Sequence, residues 1–513
     1  MSKVSSDSFV HEIELGTPPQ EKKELNIRLE ASRHLRNACL EESLRKVSLI
    51  RQSRYWKKAR TLVKSKEHTK ERKELFQQVR KLYAYSEYDL HSFVAKLRKS
   101  CWIGKHLDSS TAQKIATKAF QSADEYLCGK KGRPRFKGSQ RLRSIEGKSN
   151  ASGIRWKSGY LVWKIKGGKT LKLAALLDLK DKHGLEKQAL SCRVKYCRLI
   201  RKIIKGKQKW YLQLILEGKA LQKKKNDAAD DVVGLDIGPS TLAAVSTEEA
   251  FLKPFCQGLK DNSLKIKKLQ RKVSRSLRLN NPQNYKKDKT LKKGPKQWKR
   301  SERYKDLQQQ VAEEKRKLAE TRKRLQGKMA NEVLKMGKLV KVEKLSYKSL
   351  QRNFGKSVGL RAPGMFVSIL RRKAERAGGI LEEFSTYRTR LSQSCQCGLR
   401  KKKKLSERWH RCSCGVYAQR DLFSAHLARH VNNERLDTNQ AIEAWTAAQP
   451  LLERAVLRLE QLANGKASLS SFGLGQRQSW SHAKEGSLPI EALDAVSESR
   501  EPGRDGQLAF RTP

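Results

Sequence analysis

Residues Asp231–Ser246 read DVVGLDIGPSTLAAVS, and the reading of the rest of the chain depends on how that stretch folds. From Val232 to Gly238, apolar residues alternate with small or acidic ones, the period of a strand. Gly238-Pro239-Ser240 is a turn signal, and an apolar run follows it, so the segment reads as a β-hairpin. In its first strand Val233, Leu235 and Ile237 face one side, while Gly234, Asp236 and Gly238 face the other. The Asp236 carboxylate therefore lies on a face cleared by glycines, with room for metal ions and a phosphate. Buried without a partner, it would be costly.

Two later carboxylates also sit in apolar frames. Glu343 lies in LVKVEKL (339–345), a strand pattern, and Asp421 opens DLFSAHLARHV (421–431), a helical one. Ala425 and Ala428 share the helix face of Asp421, and such a small face can pack on a sheet with the carboxylate aimed inward. Singly, each acid has an ordinary reading: an Asp at a tight turn, a Glu at a solvated strand edge, an acid favoured by a helix dipole. Together, strand, later strand and helix, each with one carboxylate, give the order of a metal-dependent RNase H-like nuclease. Such a site uses hard oxygen ligands to hold two Mg²⁺ ions about 4 Å apart.

Between Glu343 and Asp421 lie Cys395-Gln396-Cys397-Gly398 and Cys412-Ser413-Cys414-Gly415, two matched knuckles whose four thiolates suit one tetrahedral Zn²⁺. Each pair holds one intervening residue where zinc knuckles usually have two. On a straight strand its thiols would point to opposite faces, so the backbone must bend. His410 is a substitute ligand if one thiol is badly placed, and a ribbon that has lost its metal is the alternative. Lys401–Lys404, in the spacer, are within reach of nucleic acid. The other six of the ten cysteines are scattered and read as small buried apolar residues.

The 513 residues carry 113 Lys+Arg against 52 Asp+Glu, a net charge of +61. Self-repulsion of that size is tolerated chiefly when a polyanion neutralises it, which points to nucleic acid and argues against an ordinary small-molecule enzyme. No apolar run approaches the roughly 18 residues of a bilayer span, and the N-terminus lacks the order of a secretory signal.

Working outward, Phe9–Leu15 reads as a short strand and residues 21–127 as basic helices. GKKGRPRFKG (129–138) is a basic loop, in which Arg133, Arg135, Phe136 and Lys137 form a basic-aromatic nucleic-acid contact candidate; a solvated loop is the alternative. Strand candidates follow at 153–163, 170–173, 190–197 and 209–216, the pattern of a small β-barrel. Residues 259–337 read as two long basic helices broken near Asn280-Asn281-Pro282. A further helix is expected at 366–377, a strand at 380–384, an amphipathic helix over 438–463, and disorder from 464 onward.

The hairpin GLDIG (234–238), Val342-Glu343-Lys344-Leu345, the four-cysteine ribbon with Leu391–Ser394 before it, Gln419-Arg420-Asp421 with Ser424-Ala425, and Leu264–Tyr285 with its Leu269-Gln270-Arg271-Lys272 together resemble the final half of the TnpB (OrfB) proteins. These are transposon-encoded nucleases related to the compact type V CRISPR effectors. The likeness covers about residues 229–431 and extends weakly upstream through Pro134–Lys137. Where the family often has Asp-Arg-Asp-x-Asn-Ala-Ala, Gln419 and Phe423 here replace the first Asp and the Asn.

The resemblance implies an α/β multidomain chain. Its parts would be a first wedge-barrel strand (1–17), a helical recognition lobe (18–127), and the wedge β-barrel with a linker (128–228). A RuvC-like, RNase H-like domain (229–394 and 416–463) would carry the basic helical hairpin 259–337 and an inserted zinc ribbon (395–415), ahead of a disordered tail (464–513). It implies an Mg²⁺-dependent, RNA-guided DNA endonuclease with Asp236, Glu343 and Asp421 as catalytic ligands of two Mg²⁺ ions, and Cys395, Cys397, Cys412 and Cys414 on one Zn²⁺. Its partners would be guide RNA and target DNA, with base pairing rather than side chains reading the sequence. A monomer in the prokaryotic cytoplasm, near the nucleoid, is expected. The rivals are a nuclease-impaired RNA-guided DNA-binding protein, a DDE-type transposase with a similar triad, and a plain RNA-binding structural protein. A single-strand transposase would need a His-x-His pair, and the chain has none.

Overall fold

A computed structural model describes residues 7–463 apart from 64, 66, 166–168, 179 and 405, together with 472–473. The tail expected to be disordered lies, but for Phe472 and Gly473, outside the described residues. The chain is α/β, and its described residues build three hydrophobic cores.

The first core joins a curled sheet to a group of helices. The strands are β1 (Ser8–Leu15), β2 (Ser144–Glu146), β3 (Ile154–Lys157), β4 (Tyr160–Trp163), β5 (Leu171–Leu176), β6 (Val194–Ile204) and β7 (Lys207–Glu217), in the order β2-β6-β7-β1-β5-β4-β3. β3 returns close to β6, so the sheet curls toward closure. The helices are α1 (Pro19–Gln52), α2 (Arg54–Thr61), α3 (Thr69–Leu82), α4 (Glu87–Ser100), α5 (Ile103–His106) and α6 (Ser109–Leu127). Leu25, Leu29 and Leu35 of α1 are buried in one cluster with Trp163, Leu199 and Trp210 of the sheet. Two polar ties cross the same junction. Arg28, fully buried, donates to the Trp163 carbonyl (3.0 Å) and lies over the Trp163 ring. Asp108 caps α6 through the Thr111 N–H (2.9 Å) and accepts from Trp163 Nε1 (2.8 Å). The strand expected at 190–197 begins only at Val194: Leu185–Ser191 forms helix α7, because Gly184, at φ 63°, lets the chain turn into it.

The second half is built on a five-stranded mixed sheet. Its strands are β8 (Val232–Ile237), β9 (Thr241–Val245), β10 (Ala250–Pro254), β11 (Leu339–Glu343) and β12 (Ile380–Phe384), in the order β10-β9-β8-β11-β12. β8, β9 and β10 pair antiparallel; β8, β11 and β12 pair parallel. Sequence reasoning missed β10, a short edge strand ending in Pro254. Helices α8 (Ser263–Leu279), α9 (Glu302–Met336), α10 (Tyr347–Arg361), α11 (Pro363–Arg376) and α12 (Thr386–Thr389) lie between and beyond these strands in the chain. Val233, Leu235 and Ile237 share one core with Val333 and Leu334 of α9 and with Phe366 and Leu370 of α11.

Ala243 and Val245, on the other face, join a separate core made with α13 (Arg420–Arg429) and α15 (Trp445–Ala463). The helix expected over 438–463 is thus two, α14 (Thr438–Glu443) and α15. A hairpin of β13 (Trp409–Arg411) and β14 (Tyr417–Gln419) precedes α13. Among the described residues no helix is long and apolar enough to cross a membrane.

Candidate functional site

The turn Gly238–Ser240 closes the β8–β9 hairpin through the Gly238 N–H and the Thr241 carbonyl (3.0 Å), and Asp236 pairs opposite Ala243. β11 runs beside β8 with Lys341 opposite Gly234 and Val342 opposite Leu235, which brings Glu343 level with Asp236 one step further on. α13 crosses the same face. A Cβ on Gly234 would lie 1.8 Å from the Ala425 carbonyl oxygen and 2.8 Å from the Arg429 nitrogen. This corrects the expected use of that glycine: the space it clears is filled by the helix backbone, not left for ions. Only a residue without a side chain lets α13 come down onto the strand.

The consequence is that Asp421, in the first turn of α13, reaches the Asp236–Glu343 edge. Asp421 is buried, Glu343 and Asp236 partly so. Burial pushes the Asp236 carboxyl well above its usual range; the charges of Asp421 and Glu343 raise it further, against the pull of Arg420 and Arg408. Burial also raises Glu343, opposed by hydrogen bonds from the Leu391 N–H (3.3 Å) and Thr389 Oγ1 (3.4 Å). Thr241 Oγ1 donates to Asp421 Oδ2 (3.1 Å), while Arg420 and Arg408 stand 3.6 and 3.9 Å from its other oxygen. Thr241 and Thr389, both buried, were not singled out from sequence, where a threonine in a strand or loop carries no signal of its partner. Burial, then the Glu383 and Asp236 charges, also push the Tyr347 phenol up to about 12.

The two departures from the family's last block have structural uses. Gln419 takes the N-cap position of α13, its Oε1 accepting from the Leu422 N–H (2.9 Å). Phe423 is buried and stacks on His410 at 4.4 Å between ring centroids.

The four knuckle cysteines do come together. Cys395 and Cys414 sulfurs are 3.6 Å apart, Cys397 and Cys412 sulfurs 3.5 Å, and all four lie within 4.8 Å of one another. The edge of a tetrahedron with Zn–S bonds of about 2.3 Å is about 3.8 Å, so the set fits zinc. The bend that one intervening residue demands is a tight turn in each knuckle. Gly398 N–H donates to Cys395 O and Gly415 N–H to Cys412 O, both at 3.1 Å, and both glycines have φ 87°. Burial works to raise the Cys412 thiol, but hydrogen bonds from the Cys414 N–H and the neighbouring thiols outweigh it and bring it to about 7. Burial raises Cys395. His410 stays out of this group, its ring held between Phe423 and Lys403. The carboxylates, by contrast, do not gather within 4.8 Å among the described residues.

Arg133, Arg135, Phe136 and Lys137 are all exposed. Their backbone is fixed to α1: Asn37 accepts from the Lys137 N–H and donates to its carbonyl (2.9 Å each), and Arg33 donates to the same carbonyl (3.2 Å). The side chains therefore project from a tethered loop.

Compared with solved structures, the chain aligns with a Cas12f1–sgRNA–target DNA complex at 14% identity, covering 82% of this chain and 98% of that one, with a TM-score of 0.41. It aligns with a CRISPR-Cas12f ternary complex at 13% identity, 82% of each chain and a TM-score of 0.26, and with a Cas12i–crRNA–dsDNA complex at 11%, 87% and 64%, and 0.26. Likeness at such scores bears no weight here. No curated protein matches the chain. Residues 364–427 match the family described as Cas12f1-like, TNB domain, a span that runs from α11 through the knuckles to Asp421 and most of α13. That segment, which holds both knuckles and Asp421, is where the chain is similar to this family of compact type V effectors.

Proposed function

We propose that the chain is an RNA-guided DNA endonuclease whose RuvC-like site is made by Asp236, Glu343 and Asp421. The observation that carries the reading is that these acids, from a strand, a parallel neighbouring strand and a helix, face one another across one side of the sheet, where burial and then the charges of Asp421 and Glu343 push the Asp236 carboxyl up. A partly open set of hard oxygen donors that destabilise one another is what divalent cations relieve, which fits Mg²⁺. Two Mg²⁺ ions bound there would activate a water and stabilise the leaving oxygen of a phosphodiester. The chain's own contribution is position. Thr241 fixes the rotamer of Asp421, Thr389 and the Leu391 N–H fix Glu343, and Arg420 and Arg408 set positive charge beside Asp421.

The net charge of +61 supports guide RNA and target DNA as partners. The loop bearing Arg133, Arg135, Phe136 and Lys137 would contact them, with Phe136 offering a stacking face. Residues 1–17 and 128–228 would act as the wedge barrel, 18–127 as the recognition lobe, and 229–394 with 416–463 as the nuclease domain around a zinc ribbon at 395–415. Zinc held by Cys395, Cys397, Cys412 and Cys414 would be structural, since four thiolates leave no open position.

Asp236→Ala tests the assignment. Mg²⁺-dependent cutting should fall to background while RNA still co-purifies, and sequencing that RNA identifies the guide. An alanine variant that cuts as fast as wild type would refute the site.

A further inference from the structure

The loop joining α8 to α9, residues 280–301, has no part in the site above, yet it is built with care. Residues 286–300 hold eight Lys or Arg against one Asp. None of these cations pairs with a carboxylate among the described residues, and nearly all are exposed. A merely solvated charge run needs no scaffold; this one has three. Asn281, fully buried, accepts from the Lys299 N–H (2.6 Å) and donates to the Lys299 and Leu277 carbonyls (2.8 Å each). Asn284 donates to the Gln297 carbonyl (2.6 Å). Asp288, the lone acid, is spent on its own turn, accepting from Thr290 N–H and Oγ1, and Lys286 N–H closes that turn on the Thr290 carbonyl (2.9 Å). Tyr285 and Trp298 meet edge to face at 6.1 Å. Cross-tied limbs with outward lysines form a rigid cationic surface, not a mobile tail.

The loop also stands at a fixed distance. α9 has 35 residues, roughly 52 Å at 1.5 Å per residue, and its last turns are buried against the sheet that carries Glu343. About a third of the way along from the loop, the arm is braced by the β6–β7 tip, where the Lys205 N–H donates to Glu313 Oε2 (3.3 Å). Lys265 of α8 pairs with Glu314 of α9 (2.8 Å). An arm of that length spans on the order of fifteen base pairs of duplex.

We infer that residues 280–301 form a clamp for the phosphate backbone of a double-helical nucleic acid, held at the far end of the α8–α9 arm from the carboxylates. The inference rests on the nuclease reading above. Phosphates of a DNA duplex and of an RNA–DNA duplex share the chemistry, and the test separates them. Full-length protein carrying Lys287→Ala, Lys289→Ala, Lys292→Ala and Lys293→Ala is titrated beside wild type with labelled 30-base-pair DNA and RNA–DNA duplexes over a range of KCl. Each lost contact lowers the slope of log affinity against log salt by about 0.9, so the clamp predicts a slope smaller by about 2 to 4 and binding at least about tenfold weaker at low salt. Loss on one probe alone names the duplex that is held. Replacing the same four residues by arginine should restore the slope, which separates charge from folding. Equal slopes for wild type and the alanine variant on both probes overturn the clamp and leave the nuclease reading standing. A wild type without salt-dependent binding would sink both.

Discussion

The carboxylates and the cysteines are two ways of gathering donor groups. The four thiols come from two short turns only 14 residues apart in sequence, each shaped by its own glycine, and they close to tetrahedral spacing. The three acids come from positions 236, 343 and 421, and they reach one face because a sheet register and a helix–strand contact bring them there. The knuckles are local and tight; the acids are assembled, mutually repelling and more widely spaced. Damage to a knuckle should therefore remove a metal and some stability, whereas damage to the seam should remove the chemistry.

The harshest trial of that contrast is Gly234→Ala, which touches no acid. A methyl group 1.8 Å from the Ala425 carbonyl must push α13 away, at a cost of about 3 kcal/mol, and take Asp421 with it. Cutting should be lost and the melting temperature should fall. Normal melting and cutting would show that the seam is not what aligns the acids. Next in size is Cys412→Ser. Metal analysis should fall from about one zinc per chain to well below that, with a lower melting temperature and cutting reduced far less than in Asp236→Ala. A variant that keeps its zinc would break the tetrahedral account.

Lys341→Met probes the seam more gently. Lys341 is buried on the face shared with Glu343 and donates to the Val431 carbonyl (2.7 Å) and Asn432 Oδ1 (2.9 Å), just past the end of α13. Leaving those acceptors unpaired should cost about 1–3 kcal/mol, measured by denaturant unfolding, with weaker cutting but unchanged zinc. The smallest effect is in pH. Burial presses His426 down to about 3 from an ordinary value of 6.5, so the unfolded chain takes the proton first as pH falls. Stability from this group is complete above about 7 and drains away below 6.5, by about 1.4 kcal/mol at pH 5.5. A His426→Phe variant should show a flatter decline of melting temperature between pH 7.5 and 5.5; an equally steep one would mean that His426 does not contribute.

The clustering of the four cysteines and the placement of the three acids on two strands and a helix were legible because their motifs are short and chemically demanding, and β8, β9, β11 and β12 because their alternation is strong. What stayed hidden depends on partners. The use of Gly234 is fixed by a helix almost two hundred residues away, and Thr241 and Thr389 matter only through acids on other elements. β10 escaped notice because an edge strand of five residues that ends in a proline resembles a loop. α7 was misread because Leu190, Cys192, Val194 and Tyr196 alternate with Ser191, Arg193 and Lys195, so the end of the helix shares one period-two pattern with the strand that begins at Val194.

The junction of α1 and α6 with the curled sheet bears on attempts to shorten this protein. Because Trp163 is seated against Arg28 and Asp108 within one continuous interior, the first 127 residues cannot be deleted as a detachable module. Excising them would leave a raw apolar surface on the sheet and invite aggregation. A compact derivative would do better to lose its exposed loops than its helices.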